Sequence, residues 1–161
     1  MDKKEIVKEK FKTAICSAVK AISGNAGLKI KFSNSVESEN VNLYLPEITK
    51  LTNPQDYTNI RARADSEALK IKYTDKKVYF KNRPNGKIAK TLYAIAEKIR
   101  YEKIGSDKLK GIKNNITQCY ENKFKDRKVN EIKTESDVPI TEAFELYLRS
   151  HFFKIKQNSA T

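Results

Sequence analysis

The sequence predicts a mainly α fold with one small β-hairpin, a compact α+β domain, and three observations carry that prediction. Apolar residues recur three and four apart through several long windows, as they do on a helix with one buried face. Two short stretches, 28–32 and 41–45, instead alternate apolar and polar residues in the manner of half-buried strands. Gly, Pro and Asn fall mostly between these windows. A chain of 161 residues has room for one domain with a real core. It is expected to form one over residues 1–156, with a motif-bearing core over 54–150 and a frayed polar tail over 157–161.

The first element is a helix over 3–22, in which Val7, Phe11, Ala14, Ile15, Ala18, Val19 and Ile22 recur at helical spacing until Gly24-Asn25 stops it. Leu28, Ile30 and Phe32 then alternate with Lys29 and Lys31, and Val41, Leu43 and Leu45 with Asn42 and Tyr44. The polar segment from Ser33 to Asn40 is too long for a tight turn and suits a hairpin with a flexible tip; Pro46 closes the second strand. Asn53-Pro54 is a helix start, because Asn caps free amides and Pro is preset for the first helical position. A helix over 54–72 follows, with Tyr57, Ile60, Ala64, Ala68 and Ile71 as its stripe. Leu69, Ile71 and Tyr73 also alternate, with Val78 and Phe80 beyond a Thr74-Asp75-Lys76-Lys77 turn, so a hairpin over 69–80 stands as an alternative. After Arg83-Pro84-Asn85-Gly86 the clearest stripe of the chain, Ile88, Leu92, Ile95, Ala96 and Ile99, marks a helix over 87–104 that ends at Gly105. Ser106 reads as the cap of another helix carrying Leu109, Ile112, Ile116, Cys119 and Tyr120, and the charged, aperiodic residues 121–137 read as a loop. Thr141, just after Pro139, starts a last helix presenting Phe144, Tyr147, Leu148, Phe152 and Ile155.

Lys and Arg number 33 against 20 Asp and Glu, a formal net charge of +13. Such a balance is the electrostatic footprint of nucleic-acid-binding proteins. The excess is nearly all Lys, whereas phosphate-reading surfaces favour the planar fork of Arg, here confined to Arg61, Arg63, Arg83, Arg100, Arg127 and Arg149. Lys, Asn and Ile are abundant together, a combination that an AT-rich genome produces in any protein. A nucleic-acid-binding module is therefore the rival reading and not the leading one. No apolar run approaches the roughly 18 residues needed to span a bilayer, and Met1 leads into Asp2-Lys3-Lys4-Glu5 with no apolar segment behind it. No membrane partner and no secretory leader are expected, and a cytoplasmic location follows.

Most catalytic signatures are missing. The glycines form no G-x-G and none precedes Lys-Ser/Thr, and no G-x-S-x-G, H-E-x-x-H or EF-hand pattern occurs. His151 is the one histidine, and it reads as a helix-surface residue. Cys16 and Cys119 fall in helical apolar faces and read as buried free thiols of a reducing compartment, with no zinc spacing. Catalytic, cofactor-binding and metal-ligating residues are thus all expected to be absent from this chain.

Two polar constellations stand out at about 100° per helical residue. Arg61 and Asp65 are four apart on the margin of the 54–72 stripe and can pair where solvent is partly excluded, while Arg63 and Glu67 point away. On the 87–104 helix Arg100 and Glu102 flank the stripe on opposite sides, and Glu97 lies opposite it in solvent. These are either edge ion pairs between helices, about 0.3–1 kcal/mol each if exposed, or part of a partner interface. Gly111 is an odd helical residue, costing roughly 0.5–1 kcal/mol relative to Ala; close helix packing would explain it, with Asn115 hydrogen-bonding across the contact.

Arg61-Ala62-Arg63-Ala64-Asp65-Ser66-Glu67-Ala68-Leu69 resembles the R-G-x-A-D-x-x-A-L segment in the N-terminal region of the CobT subunit of aerobic, ATP-dependent cobaltochelatase. Asp75 sits where that family has H-H-D-x-x-L-H, Arg83-Pro84 matches its R-P, and Glu97 to Gly105 follows E-Q-A-R-x-E-A-L-G without a gap. Gly111 to Asn115 resembles G-V-A-x-N-L, and Val138 to Arg149 more weakly resembles an Ala-Pro-Leu-x-x-Ala-x-x-x-x-x-R pattern. The similarity covers about residues 60–150.

The resemblance implies a non-catalytic helical module that assists insertion of Co(II) into hydrogenobyrinic acid a,c-diamide during cobalamin biosynthesis. The family enzyme is a ligase forming nitrogen–metal bonds. A large chelatase subunit holds the macrocycle, an AAA+ subunit hydrolyses ATP, and CobT assembles with the AAA+ subunit, so the implied partners are that subunit, further copies of this chain and, indirectly, the large subunit. ATP, Mg and Co(II) are implied for the full complex and none of them for this chain. Family members continue into an acidic linker and a von Willebrand A domain with a metal-ion-dependent adhesion site, whose D-x-S-x-S motif does not occur here. Tyr73, Thr74 and Tyr79 stand at the family's histidines and Ala62 at a family glycine, so no histidine role carries over. The carried-over interface or structural set is Arg61, Asp65, Ala68, Leu69, Glu97, Arg100, Glu102, Gly105, Gly111 and Asn115. A stand-alone remnant of CobT with another role is the second rival.

Overall fold

The computed structural model describes residues 2–35, 40–125 and 139–154, which form six helices and two short strands. They fall into two compact units, one running to Lys72 and one from Tyr73 onward, and the boundary lies at the C-terminal end of a helix with no linker between them.

The first unit begins with α1, Lys3–Ser23. Asp2 carbonyl oxygen accepts the amides of Glu5 (2.9 Å) and Ile6 (3.1 Å), and the helix stops where Gly24 turns left-handed at φ 72° and the Asn25 amide returns to the Lys20 carbonyl (3.2 Å). A side chain at that φ would crowd its own backbone, so Gly is the residue that ends a helix this way. Ile15 and Val19 are fully buried, each worth about 1.5–3 kcal/mol. Val7, 44% exposed, lies outside the core, and the working stripe of α1 starts at Phe11.

β1, Ile30–Phe32, and β2, Leu43–Leu45, pair as expected, with Leu43 and Leu45 buried on either side of a half-exposed Tyr44. They run parallel, however, Ile30 opposite Leu43 and Phe32 opposite Leu45, so the two strands are not a hairpin. The Leu43 amide donates to the Lys29 carbonyl (3.1 Å) and the Ser33 amide to the Leu45 carbonyl (2.8 Å), which fixes that direction. The long polar segment that is too extended for a tight turn is what a parallel pair requires.

α2, Pro54–Tyr73, starts at a reciprocal cap. Asn53 Oδ1 accepts the Asp56 amide (2.9 Å), while the Asp56 carboxylate accepts the Thr52 amide (2.8 Å) and hydroxyl (3.0 Å); the Thr52 amide above all holds that carboxyl below its ordinary value. Ala64 and Ala68 let the helix backbone close on Ile15, Val19, Leu28, Leu43, Leu45 and Ile48, and these eight side chains are the core of the unit. α2 runs through 69–73 as helix, which removes the alternative hairpin over 69–80.

The second unit comprises α3, Lys76–Asn82, α4, Lys87–Lys108, α5, Lys110–Lys125, and α6, Ile140–Phe153. α3 is capped by Asp75, whose Oδ1 accepts the Val78 amide (3.1 Å), and has no buried residue. α4 packs against both α5 and α6. It does not end at Gly105: Gly105 and Ser106 are buried inside it, so Ser106 is no cap, and the break comes at Leu109 (φ −131°). The Leu109 amide still donates to the Gly105 carbonyl (2.9 Å), so continuing the helix satisfies a backbone group that a stop at Gly105 would leave open. α5 buries Ile112, Ile116 and Tyr120 at every fourth position and continues through Lys125, five residues into the expected loop; the rest of that loop lies outside the described residues. α6 buries Arg149 and Phe153 and leaves Tyr147 66% and Phe152 45% exposed, so its inner face is turned by one residue from the expected Leu148/Phe152 stripe. Ile155 of that stripe and the tail 157–161 lie outside the described residues.

Candidate functional site

In the first unit the Arg61/Asp65 pair forms. Arg61 Nε donates to Asp65 Oδ1 at 2.7 Å across one helical turn, Asp65 being wholly buried and Arg61 30% exposed. Leu69, one turn on, is buried too.

In the second unit the charged residues of α4 divide between two places. Glu97 does not point into solvent. Its Oε1 accepts the Thr74 hydroxyl (2.8 Å) and Arg100 Nη2 (2.8 Å), and its Oε2 accepts Arg100 Nε (2.7 Å), leaving the side chain 17% exposed. Arg100 Nη2 also donates to the Tyr73 carbonyl (2.6 Å). A helical angle alone sets Glu97 opposite the apolar stripe; the segment around Thr74 covers it there. The Arg100 hydrogen bonds, then that from Thr74, hold the Glu97 carboxyl below its ordinary value, and Glu97 raises Arg100 in turn. Beside this clamp opens a cleft of about 270 Å³ lined by Tyr73, Asp75, Val78, Tyr79, Tyr93, Glu97 and Arg100. Tyr79 and Tyr93 pack ring to ring (5.0 Å), and Lys108 Nζ lies 5.0 Å over the Tyr73 ring. The positions corresponding to the family's histidines, Tyr73, Thr74 and Tyr79, thus gather at one place with Glu97 and Arg100.

Glu102 faces another partner. Its Oε2 accepts Arg149 Nη1 at 2.8 Å with both side chains at most 1% exposed, and Arg149 Nε donates to Glu145 Oε1 at 3.0 Å. The guanidinium carbon sits 3.2 Å from the Tyr120 ring centroid, and Lys123 closes the outer side of Glu145 at 3.2 Å. Burial acts to lower the Arg149 pKa, yet Glu102 and the other anionic neighbours outweigh it and keep the guanidinium charged. Burial likewise opposes ionisation of Glu145, and Arg149 with Lys123 reverses that, so Glu145 is an anion below its ordinary value. Tyr120 is pushed far up by burial and by Glu102, and remains a neutral phenol. Arg149 Nη2 has no acceptor among the described residues. The sequence reading misses this cluster; its available signal is Glu145 four residues before Arg149, an i,i+4 pair of opposite charge beside apolar positions.

Gly105 is buried, as a packing role requires. Gly111 is exposed, and a Cβ there would meet nothing within 4 Å, so close packing is not its reason and the structure supplies no steric one. Asn115 is half-buried on the same helix.

Cys16 and Cys119 are free and half-buried, and burial raises both thiols above their ordinary value. His151 is exposed on α6. Among the described residues no group of three or more His, Cys, Asp or Glu is placed to hold a metal ion, and no helix is long and apolar enough to cross a membrane.

Together these features define a helical module with a small parallel sheet, whose best-placed ionisable residues tie one helix to the next. The chain belongs to the CobT family: the family model for cobalamin biosynthesis protein CobT matches residues 6–157, reaching well beyond the 60–150 stretch that carries the motif resemblance. No solved structure matches it.

Proposed function

We propose that this chain acts in cobalamin biosynthesis as a non-catalytic assembly module of a cobaltochelatase, assisting ATP-dependent insertion of Co(II) into hydrogenobyrinic acid a,c-diamide by docking to the AAA+ subunit. One observation carries the reading: the motif stretches at 73–79 and 97–100, far apart in sequence, converge on the cleft beside the Glu97–Arg100 clamp. Rigid, partly exposed Arg and Tyr side chains at a concave surface are what protein partners anchor on. Co(II) is the substrate of the complex, and no residue described here is assigned to it or to ATP and Mg.

The test is co-purification with the AAA+ subunit at micromolar concentration, comparing wild type with Arg100→Ala. Co-elution that the variant weakens supports the reading. Separate elution of the wild-type chain and the AAA+ subunit, with and without ATP, overturns it.

A further inference from the structure

The segment running from α3 into α4 has a surface of unusual composition that the clamp and its cleft do not explain. Lys76, Lys77, Lys81, Arg83, Lys87 and Lys90 are all exposed, and no Asp or Glu occurs between Lys76 and Ala96. None of these cations takes part in the ion pairs found among the described residues. Among them stand three large apolar side chains turned outward: Val78 (55% exposed), Phe80 (62%) and Ile88 (58%). A helix with no buried residue is unusual in itself, since packing of an apolar face supplies most helical stability. Of its apolar residues α3 packs Tyr79 against Tyr93 and leaves Val78 and Phe80 outside. Val78 and Tyr79 also line the cleft, so the cleft opens directly onto this basic, apolar segment.

We infer that this surface is the docking site for an acidic segment of a protein partner that carries apolar side chains, the apolar groups meeting Val78, Phe80 and the cleft while the carboxylates meet the lysines. The inference rests on the assembly reading above and names the face and the chemistry of the partner. Charge selects this occupant. A second copy of a chain with net charge +13 would set these same cations against another basic surface. A lipid surface needs one continuous apolar face, but Val78 and Phe80 are two positions apart, about 200° around the helix, so a bilayer cannot take both. A stacked nucleobase needs an open ring face, and the Phe80 ring already carries the Arg83 guanidinium at 5.8 Å and a T-shaped contact with Tyr79 at 5.4 Å between centroids. A polypeptide can wrap a short helix on two sides and pair its carboxylates as it does so.

The experiment titrates the whole chain with four probes: a synthetic peptide alternating Glu with Leu and Phe, polyglutamate of equal charge, oligothymidylate, and phosphatidylserine vesicles. The mixed peptide is expected to bind at least tenfold more tightly than the other three. Val78→Ser with Phe80→Ser should erase that margin without altering the thermal melt, because neither residue is buried, and Lys81→Glu with Lys87→Glu should weaken the mixed peptide and polyglutamate alike. Equal binding of the mixed peptide and polyglutamate, or tighter binding of oligothymidylate or vesicles, overturns the inference. Co-purification separates the two readings. If the AAA+ subunit retains the Val78→Ser, Phe80→Ser protein as well as wild type, this surface is wrong and assembly stands; if it binds neither while the mixed peptide still discriminates them, assembly fails and the surface stands.

Discussion

Replacing Glu102 by Ala removes one carboxylate from a guanidinium that has no route to water. Arg149 is 0% and Glu102 1% exposed, with 2.8 Å between the bonded atoms, so the substitution leaves Arg149 charged and buried, with Glu145 as its remaining carboxylate among the described residues. Breaking a buried pair by deleting one partner costs about 3–5 kcal/mol, and because the Glu145 contact at 3.0 Å survives, the lower end applies, about 3 kcal/mol. For a chain of this length that lowers Tm by roughly 6–12 °C. The double variant Glu102→Leu, Arg149→Met removes both charges, retains apolar volume against Tyr120, and should recover most of the loss, since apolar replacement of a buried ion pair is often neutral or stabilising. The assay is urea and thermal unfolding of wild type, Glu102→Ala, both single variants Glu102→Leu and Arg149→Met, and the double. A loss under about 1 kcal/mol for Glu102→Ala, the scale of an exposed pair, or a cycle with no coupling between the two positions, refutes the buried-pair reasoning.

Glu97→Gln should flatten the acid limb of the stability curve. The folded pKa of Glu97 lies below its ordinary 4.5, so its contribution is complete above that value and is lost as pH falls through the folded pKa; urea midpoints from pH 6 down to pH 3 should converge for wild type and variant, and midpoints that diverge on acidification would contradict the clamp. Gly111→Ala meets open space and should stabilise by roughly 0.4–1 kcal/mol through a less flexible unfolded chain; loss of AAA+ binding by this variant with a raised Tm would show that a partner, and not the fold, needs the glycine. Gly24→Ala places a Cβ at φ 72° and should cost about 1–2 kcal/mol in unfolding experiments. Alkylation of Cys16 and Cys119 at pH 7 should run slower than for free cysteine and accelerate steeply with pH, burial having raised both thiols.

What the sequence makes legible here is local. Gly24, the Asn53-Pro54 start of α2 and the Arg61/Asp65 pair are set by interactions within about five residues, and each forms where the sequence puts it. Strand direction is invisible to alternation, because Ile30–Phe32 and Leu43–Leu45 bury the same faces whichever way they run. The α6 face is misread because a periodicity argument sends every charge outward, whereas Arg149 is drawn inward by carboxylates from two helices and a Tyr ring. Glu97 is misplaced for a related reason: helical angles within α4 do not register that Thr74 folds over it. The candidate site was half visible, as a list of motif residues; the cleft that gathers Tyr73, Tyr79, Tyr93 and Arg100 is a property of tertiary structure.

The bond between Glu102 and Arg149 also has a direction in time. The two residues are 47 apart, so at a synthesis rate of 5–20 residues per second the acid leaves the ribosome roughly 2–9 s before its base. For about the later half of that interval α4 and α5 are both complete, but Glu102 still lacks the guanidinium that it pairs with in the finished protein. Completion of the second unit therefore waits for α6, and a chain that stops short of Arg149 must fold α4 with Glu102 lacking the buried guanidinium that the finished protein sets against it.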